Sequence, residues 1–392
     1  MRKPWLRKCV GTLCALSITY AAPAAEFTWS GGSSGAGDAW RQANNWSPAA
    51  GQGGPGNGDA AVFGTNGTSS NIGIKFNDGL GLTTTVAAIR LTAGPSRTVF
   101  NSSPNSSGRL QLEGWQGTLL ANHSMSSLLT LRNGTDSSMR VELLSGGTIH
   151  VASASAGIVM ESEVAGAHGF TKSGSGVLQL THSNSLGGQG VVAGGTLELA
   201  SGTGSSLGSV SRLRLESGAV ARLSAAEQLG NATALDLAGG TLRGAGGVVA
   251  VVETAGTLTL SASSVIDLGA SNLRLADSSV IVWNAGATLT ITNWRGIDNG
   301  NAGRLFFGPG GLTSTQLAQI YFADLGIQGA QLVGPDGELS PIPEAPVAAA
   351  AAVLAGFIVW RERRRLLRAV RHRFAPRTGA SAWKEDSCRS AD

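Results

Sequence analysis

Cysteine is nearly missing from this chain. Three occur in 392 residues: Cys9 and Cys14 in the first apolar run, and Cys388 in the basic tail. The long stretch between them has no disulfide framework and no Cys-based metal site, so packing and hydrogen bonds must hold it. Motifs that carry chemistry are also missing. No HExxH, paired Cys-x-x-Cys, P-loop or EF-hand spacing occurs, and no metal or cofactor is expected. The G-x-G-x-x-G match at 51–56 lacks a preceding strand and a following helix, and Ser33 of "GGSSG" lacks the strand and helix of a nucleophile elbow. Carboxylates are sparse. Asp267, Asp277 and Asp298 form no triad, and His123, His150, His168 and His182 have no carboxylate or second histidine at a telling interval. Catalysis is therefore not expected.

Charge is low as well, at 14%, and it is unevenly placed. Four Lys and Arg fall in the first eight residues and ten from Arg361 onward, whereas Ala25–Ala345 holds 15 against 21 Asp and Glu. The body is acidic and has no dense basic patch with interleaved aromatics, which excludes nucleic acid as a partner. The N-terminal charge belongs to a leader pattern. "MRKPWLRK", the apolar "CVGTLCALSITY" and Ala22-Pro23-Ala24 predict a secretory signal peptide over 1–24, cut before about Ala25.

What the body does contain is glycine, 57 in all, among Ser, Thr, Ala, Leu and Val. This mixture favours strands with tight turns. From Leu110 an apolar-x-apolar triplet keeps returning, as "LQL" at 110, "LTL" at 129, "IHV" at 149, "LQL" at 178, "LEL" at 197, "LRL" at 213 and "LDL" at 235. It continues as "LTL" at 258, "LRL" at 273 and "LTI" at 289; apart from one gap of 29, the steps are 15 to 23 residues. Alternation marks one face of a strand, and a period near 20 is that of a β-solenoid, whose coils bury their inward side chains by stacking. A β-sandwich also gives short strands between turns, but its strands recur every 8–12 residues or so.

Residues 166–201, "GAHGFTKSGSGVLQLTHSNSLGGQGVVAGGTLELAS", carry the clearest motif. Lys172, Gly174, Gly176, Leu178 and Leu180 form its first half, and Gly194, Gly195, Thr196 and Leu197 its second. The segment resembles the autotransporter-associated β-strand repeat. That resemblance implies an exported protein with right-handed parallel β-helix coils. The predicted organisation is an N-terminal cap with first coils over 25–108, a β-solenoid over 109–310 and a C-terminal cap over 311–340. Trp29, Trp40, Trp46 and Phe63 are expected to close the open N-terminal end. The competing role for Trp40 and Trp46 is stacking on sugar rings. Near the other end, Thr313 and Gln316 form a capping-box pattern, and Leu317, Ile320 and Tyr321 have helical spacing.

The last distinctive stretch is "PIPEAPVAAAAAVLAGFIVWRERRR", 341–365. Its apolar run Val347–Trp360 would span about 21 Å as a helix, against about 30 Å of bilayer core. The arginines behind it would stay cytoplasmic. Pro343, Glu344 and Ala345, the apolar helix and the cluster Arg361, Arg363, Arg364 and Arg365 resemble a PEP-CTERM sorting domain, followed by a basic tail over 366–392. This resemblance implies recognition by an exosortase-type membrane protease and passage from the inner membrane to the cell surface. The function expected is structural or adhesive, in the cell surface or extracellular matrix, with polysaccharide as a further partner. The alternative is a carbohydrate-binding or polysaccharide-degrading β-helix protein.

Overall fold

The alternation read from the triplets is realised as short strands with one face inward. In Ser138–Leu143, Met139, Val141 and Leu143 are buried while Ser138, Arg140 and Glu142 face out. The computed structural model describes residues 25–31, 39–49, 54–66, 70–75, 82–246, 251–296, 302–342 and 357–365. The chain divides into two compact units, Met1–Pro341 and Ile342–Asp392.

The first unit is all-β and has the strand pairing of a β-solenoid. One face is an eleven-stranded sheet running from Trp46–Ser47 and Glu26–Trp29, through Gly147–Val151 and Phe170–Ser173, to Leu258–Ala262. A second face has twelve strands, from Asn71–Ile74 to Ile327–Gln328. The third face is made of two five-stranded sheets. The first of them runs from Thr83–Val86 to Ser185–Leu186, and the second contains Val251–Ala255 and Ser271–Leu275. Between these two sheets the stack continues through the bridge Leu207↔Leu229, and Glu227 N–H donates to the Val252 carbonyl at 3.1 Å.

Nearly all pairing is parallel, and each strand pairs with the equivalent strand of the next coil. Partners lie 31 residues apart at Ile89↔Leu120 but only 20 apart at Lys172↔Val192. In-register stacking puts like on like, as in Leu213↔Leu235↔Leu258 and Leu215↔Leu237↔Leu260. All six leucines are fully buried, and each contributes on the order of 1.5–3 kcal/mol through removal from water. A lone coil could not do this, since its apolar side chains need the neighbouring rungs.

Both ends of the stack depart from parallel pairing, which limits the exposed edge. Trp46–Ser47 lies antiparallel on Glu26–Trp29. At the other end Ile320–Phe322 pairs antiparallel with Ile327–Gln328, and Ala330–Val333 with Glu338–Pro341. The capping box at Thr313 forms, and it starts a helix of only five residues, Ser314–Ala318. Helical spacing at Ile320 and Tyr321 is overridden, because Ile320–Phe322 joins the edge of the second face beside Leu289–Thr292.

In the second unit, residues 357–365 are helical. Phe357, Ile358, Val359 and Trp360 are exposed, and the Arg364 guanidinium sits 4.2 Å from the Trp360 ring centre. Pro343, Glu344 and Ala345, the apolar run before 357, the signal peptide and the tail after 365 lie outside the described residues. Among the described residues, no helix is long and apolar enough to cross a membrane.

Candidate functional site

The repeat motif forms a turn stacked on its own second half. Leu178 pairs with Leu197 and Val177 with Thr196, so the Gly174–Gly176 turn lies one rung from the Gly194–Gly195 turn. Lys172 belongs to the inward face and is completely buried. Its ammonium donates to the carbonyls of Ser173, Gly174 and Gly194, each at 3.0 Å, tying two successive coils together. Burial pulls its pKa down to about 8.

The paired glycines have different tasks. Gly195 has φ +63°, and a Cβ there would lie 2.5 Å from the carbonyl oxygens of Gly174 and Gly176. At Gly194 the nearest atom would be 3.5 Å away, an ordinary contact. Gly195→Ala is therefore expected to cost about 2 kcal/mol or more, and Gly194→Ala to stay within about 0.5 kcal/mol of the parent. Urea midpoints of the two variants check this difference; equal midpoints would contradict it.

Trp40 and Trp46 require a correction to the glycan-stacking reading. They are 0% and 2% exposed, so neither indole presents a face to a sugar. Their rings lie 4.9 Å apart, edge to face, with Trp29 and Phe63 also against Trp46. Trp46 Nε1 donates to the Trp40 carbonyl at 2.7 Å. The four rings form the core beneath the N-terminal edge.

Asp267 and Asp277 serve local structure. Asp267 accepts from Arg243 Nε at 3.1 Å and from Asn293 Nδ2 at 2.6 Å, while Asp277 accepts from the Ser279 N–H at 2.8 Å. Asp298 lies outside the described residues. Among the described residues, no three His, Cys, Asp or Glu side chains gather as a metal site.

The structure brings two histidines together. His123 and His150 have ring centres 5.1 Å apart, and His150 Nδ1 is 2.9 Å from Ser173 Oγ. Burial lowers both pKa values; His150 and Arg90 add to this for His123, and Lys172 for His150. The readable signal was their separation of 27 residues, close to the 29 between the stacked partners Leu120 and Ile149.

A groove of about 390 Å³ lies on the third face. Strand alternation turns Ser107, Arg109 and Gln111 outward from one strand, and Ser138, Arg140 and Glu142 from the next. Register then builds columns: Ser107 beside Ser138, Arg109 beside Arg140 and then Glu163, Gln111 beside Glu142. A directed chain runs beside the groove. Thr85 Oγ1 donates to Gln111 Oε1 at 2.9 Å, and Gln111 Nε2 donates to Glu142 Oε2 at 2.9 Å. The other Glu142 oxygen faces two cations, Arg109 at 3.3 Å and Arg140 at 3.7 Å. Glu163 lies 3.5 Å from Arg140 and accepts from Ser185 Oγ at 2.8 Å. Glu142 is mostly covered, whereas the side chains of Arg109 and Arg140 are 58% and 42% exposed. Leu82, Asn133, Met139 and His182 complete the walls. The groove thus combines two guanidiniums, two serine hydroxyls and the Glu163 carboxylate with apolar wall, without an aromatic platform apart from the His182 imidazole.

Fold and groove together define the class: an all-β protein of stacked parallel sheets with an arginine-bearing groove on one face. No protein-family model, curated protein or solved structure matches the chain.

Proposed function

We propose that this is an exported structural or adhesive protein of the cell surface or extracellular matrix, built as a right-handed parallel β-helix and without catalytic activity. The observation that carries this reading is the continuity of its outward columns. On the second face Val177, Thr196, Val220, Thr241, Val265 and Thr290 occupy six consecutive rungs. A rigid surface that repeats at each rung suits many weak contacts made together, the physical basis of adhesion and matrix assembly. The right hand is the one that parallel strands with crossover connections overwhelmingly take.

Delivery follows the sorting-domain resemblance. The segment Val347–Trp360 would enter the membrane and Arg361, Arg363, Arg364 and Arg365 would hold its cytoplasmic end. The arginine stacked on Trp360 supports this reading, since an indole and a guanidinium side by side suit the headgroup level. An exosortase-type protease would then cut near Pro343-Glu344-Ala345. Mass spectrometry of the cell-surface form is expected to give a C-terminus near Pro343 and an N-terminus near Ala25. Glu344→Ala is expected to leave the protein in the membrane fraction. An intact C-terminus at Asp392 in the surface form would refute the processing step.

Carbohydrate binding remains the second reading, and the third-face groove, rather than the tryptophans, favours it. Its hydroxyls and guanidiniums are the groups that hydrogen-bond sugars.

A further inference from the structure

We propose that the third-face groove is a binding site for a carboxylate-bearing polysaccharide, with Arg109 and Arg140 each taking the acid group of one uronic-acid residue. The inference deepens the cell-surface reading and rests on it for its biological setting.

Three features lead to this ligand. First, Arg109 and Arg140 are direct partners on neighbouring strands, about 4.8 Å apart along the stack. Both guanidiniums can therefore face one short stretch of an acidic chain, and their long side chains can spread to reach separate acid groups on it.

Second, the two arginines are paired at one edge and still exposed to solvent. Two like charges side by side repel, and Glu142 between them offsets that cost. The chain of hydrogen bonds from Thr85 through Gln111 fixes Glu142 in turn. Each guanidinium has five donors in a plane matched to a carboxylate, and both side chains remain well exposed. Glu163 and Ser185 orient Arg140 from the far side.

Third, the groove is poor in what neutral sugars prefer. No tryptophan, tyrosine or phenylalanine lines it, so ring stacking cannot supply the affinity. Ser107, Ser138 and Asn133 offer partners for ring hydroxyls instead.

Arg212 and Arg214 also share one buried carboxylate, Asp236, but they lie two apart on a single strand of the first face. On the second face Arg222 and Arg243 are also neighbours and line a groove of about 380 Å³, but they share no carboxylate: Glu198 lies 3.8 Å from Arg222 and Asp267 3.1 Å from Arg243. That column serves as an internal control.

The test uses the full-length chain and two probes, a galacturonic-acid hexamer and a neutral glucose hexamer, followed by calorimetry at low and high salt. Wild type is expected to bind the acidic hexamer, more weakly at high salt, and the neutral one at least tenfold more weakly. Arg109→Gln and Arg140→Gln are each expected to weaken acid binding by about tenfold or more. Arg109→Lys, which keeps the charge and loses the fork, is expected to lose several-fold. The double control Arg222→Gln, Arg243→Gln should bind as wild type. Unchanged circular dichroism and thermal midpoint separate lost binding from lost folding. Equal affinity for both hexamers, variants that bind as wild type, or an equal loss in the control would overturn the proposal. A surface-located protein that ignores uronates would defeat this inference alone. A chain that binds uronates yet is never exported would defeat only the cell-surface reading.

Discussion

Trp46→Ala is expected to destabilise the N-terminal end by about 3–5 kcal/mol, the range for deleting a large buried aromatic. Its ring is the meeting point of the cluster, with centres 5.0 Å from Trp29, 4.9 Å from Trp40 and 5.8 Å from Phe63. Alanine would leave a cavity that none of these rings can fill without moving its strand, and it would free the Trp40 carbonyl from its donor. Because each coil touches only its neighbours, the loss should stay local. Limited proteolysis should cut first before about Leu91 and spare the coils beyond Thr118, and a denaturant titration should gain an early, separate transition. A single transition at the parent's midpoint would show that the cluster is not the closure of the stack. The same variant separates the two roles once open to Trp46, since a sugar-stacking indole would lose binding and leave stability unchanged.

Much of the stacking was legible in the sequence because burial in a solenoid writes alternation directly into the chain. The triplets at Leu110, Leu129, Ile149, Leu178 and Leu197 all fall on strands with inward apolar residues. Their uneven steps had a cause that a single period could not reveal. Leu197 lies on the second face and Leu213 on the first, so the 16 residues between them are less than one coil. Face assignment depends on pairing across coils, and pairing is not local.

The same limit hid the groove. Arg109 and Arg140 are 31 positions apart, and Gln111 and Glu142 likewise, so only register makes them neighbours. Lys172 was visible as a motif residue, but nothing in "TKSGSG" says that its ammonium turns inward to three carbonyls. Glu253 had no sequence signal at all. It is fully buried in Val251–Ala255, with its carboxylate receiving the N–H groups of Gln228 at 2.8 Å and Leu229 at 2.7 Å. Two donors from the coil below stand in for water.

These two buried ionisable groups should give stability an unusual dependence on pH. Desolvation raises Glu253 from 4.5 to about 7, aided by the nearby charge of Glu227 and opposed by the two N–H donors. Between those values the folded chain holds a proton that the unfolded chain has released. Stability from this group is therefore complete below pH 4.5 and lost as pH rises through 7, by about 3 kcal/mol. Lys172 has the opposite sign. Burial lowers it from 10.5 to about 8, so between pH 8 and 10.5 the unfolded chain holds the extra proton and stability rises, again by about 3 kcal/mol. Both groups are at their most costly between pH 7 and 8. His123 and His150, with lowered pKa values, add stability as pH rises toward 6.5 and mask part of the acid limb. The decisive quantity is therefore a difference between proteins, not the parent curve. Stability of wild type minus Glu253→Gln, from urea titrations, should fall between pH 4.5 and 7. Wild type minus Lys172→Met should rise between pH 8 and 10.5. Constant offsets from lost hydrogen bonds cancel from these slopes, so a flat difference in either window would mean that the group concerned keeps its ordinary pKa and is not held in a desolvated interior.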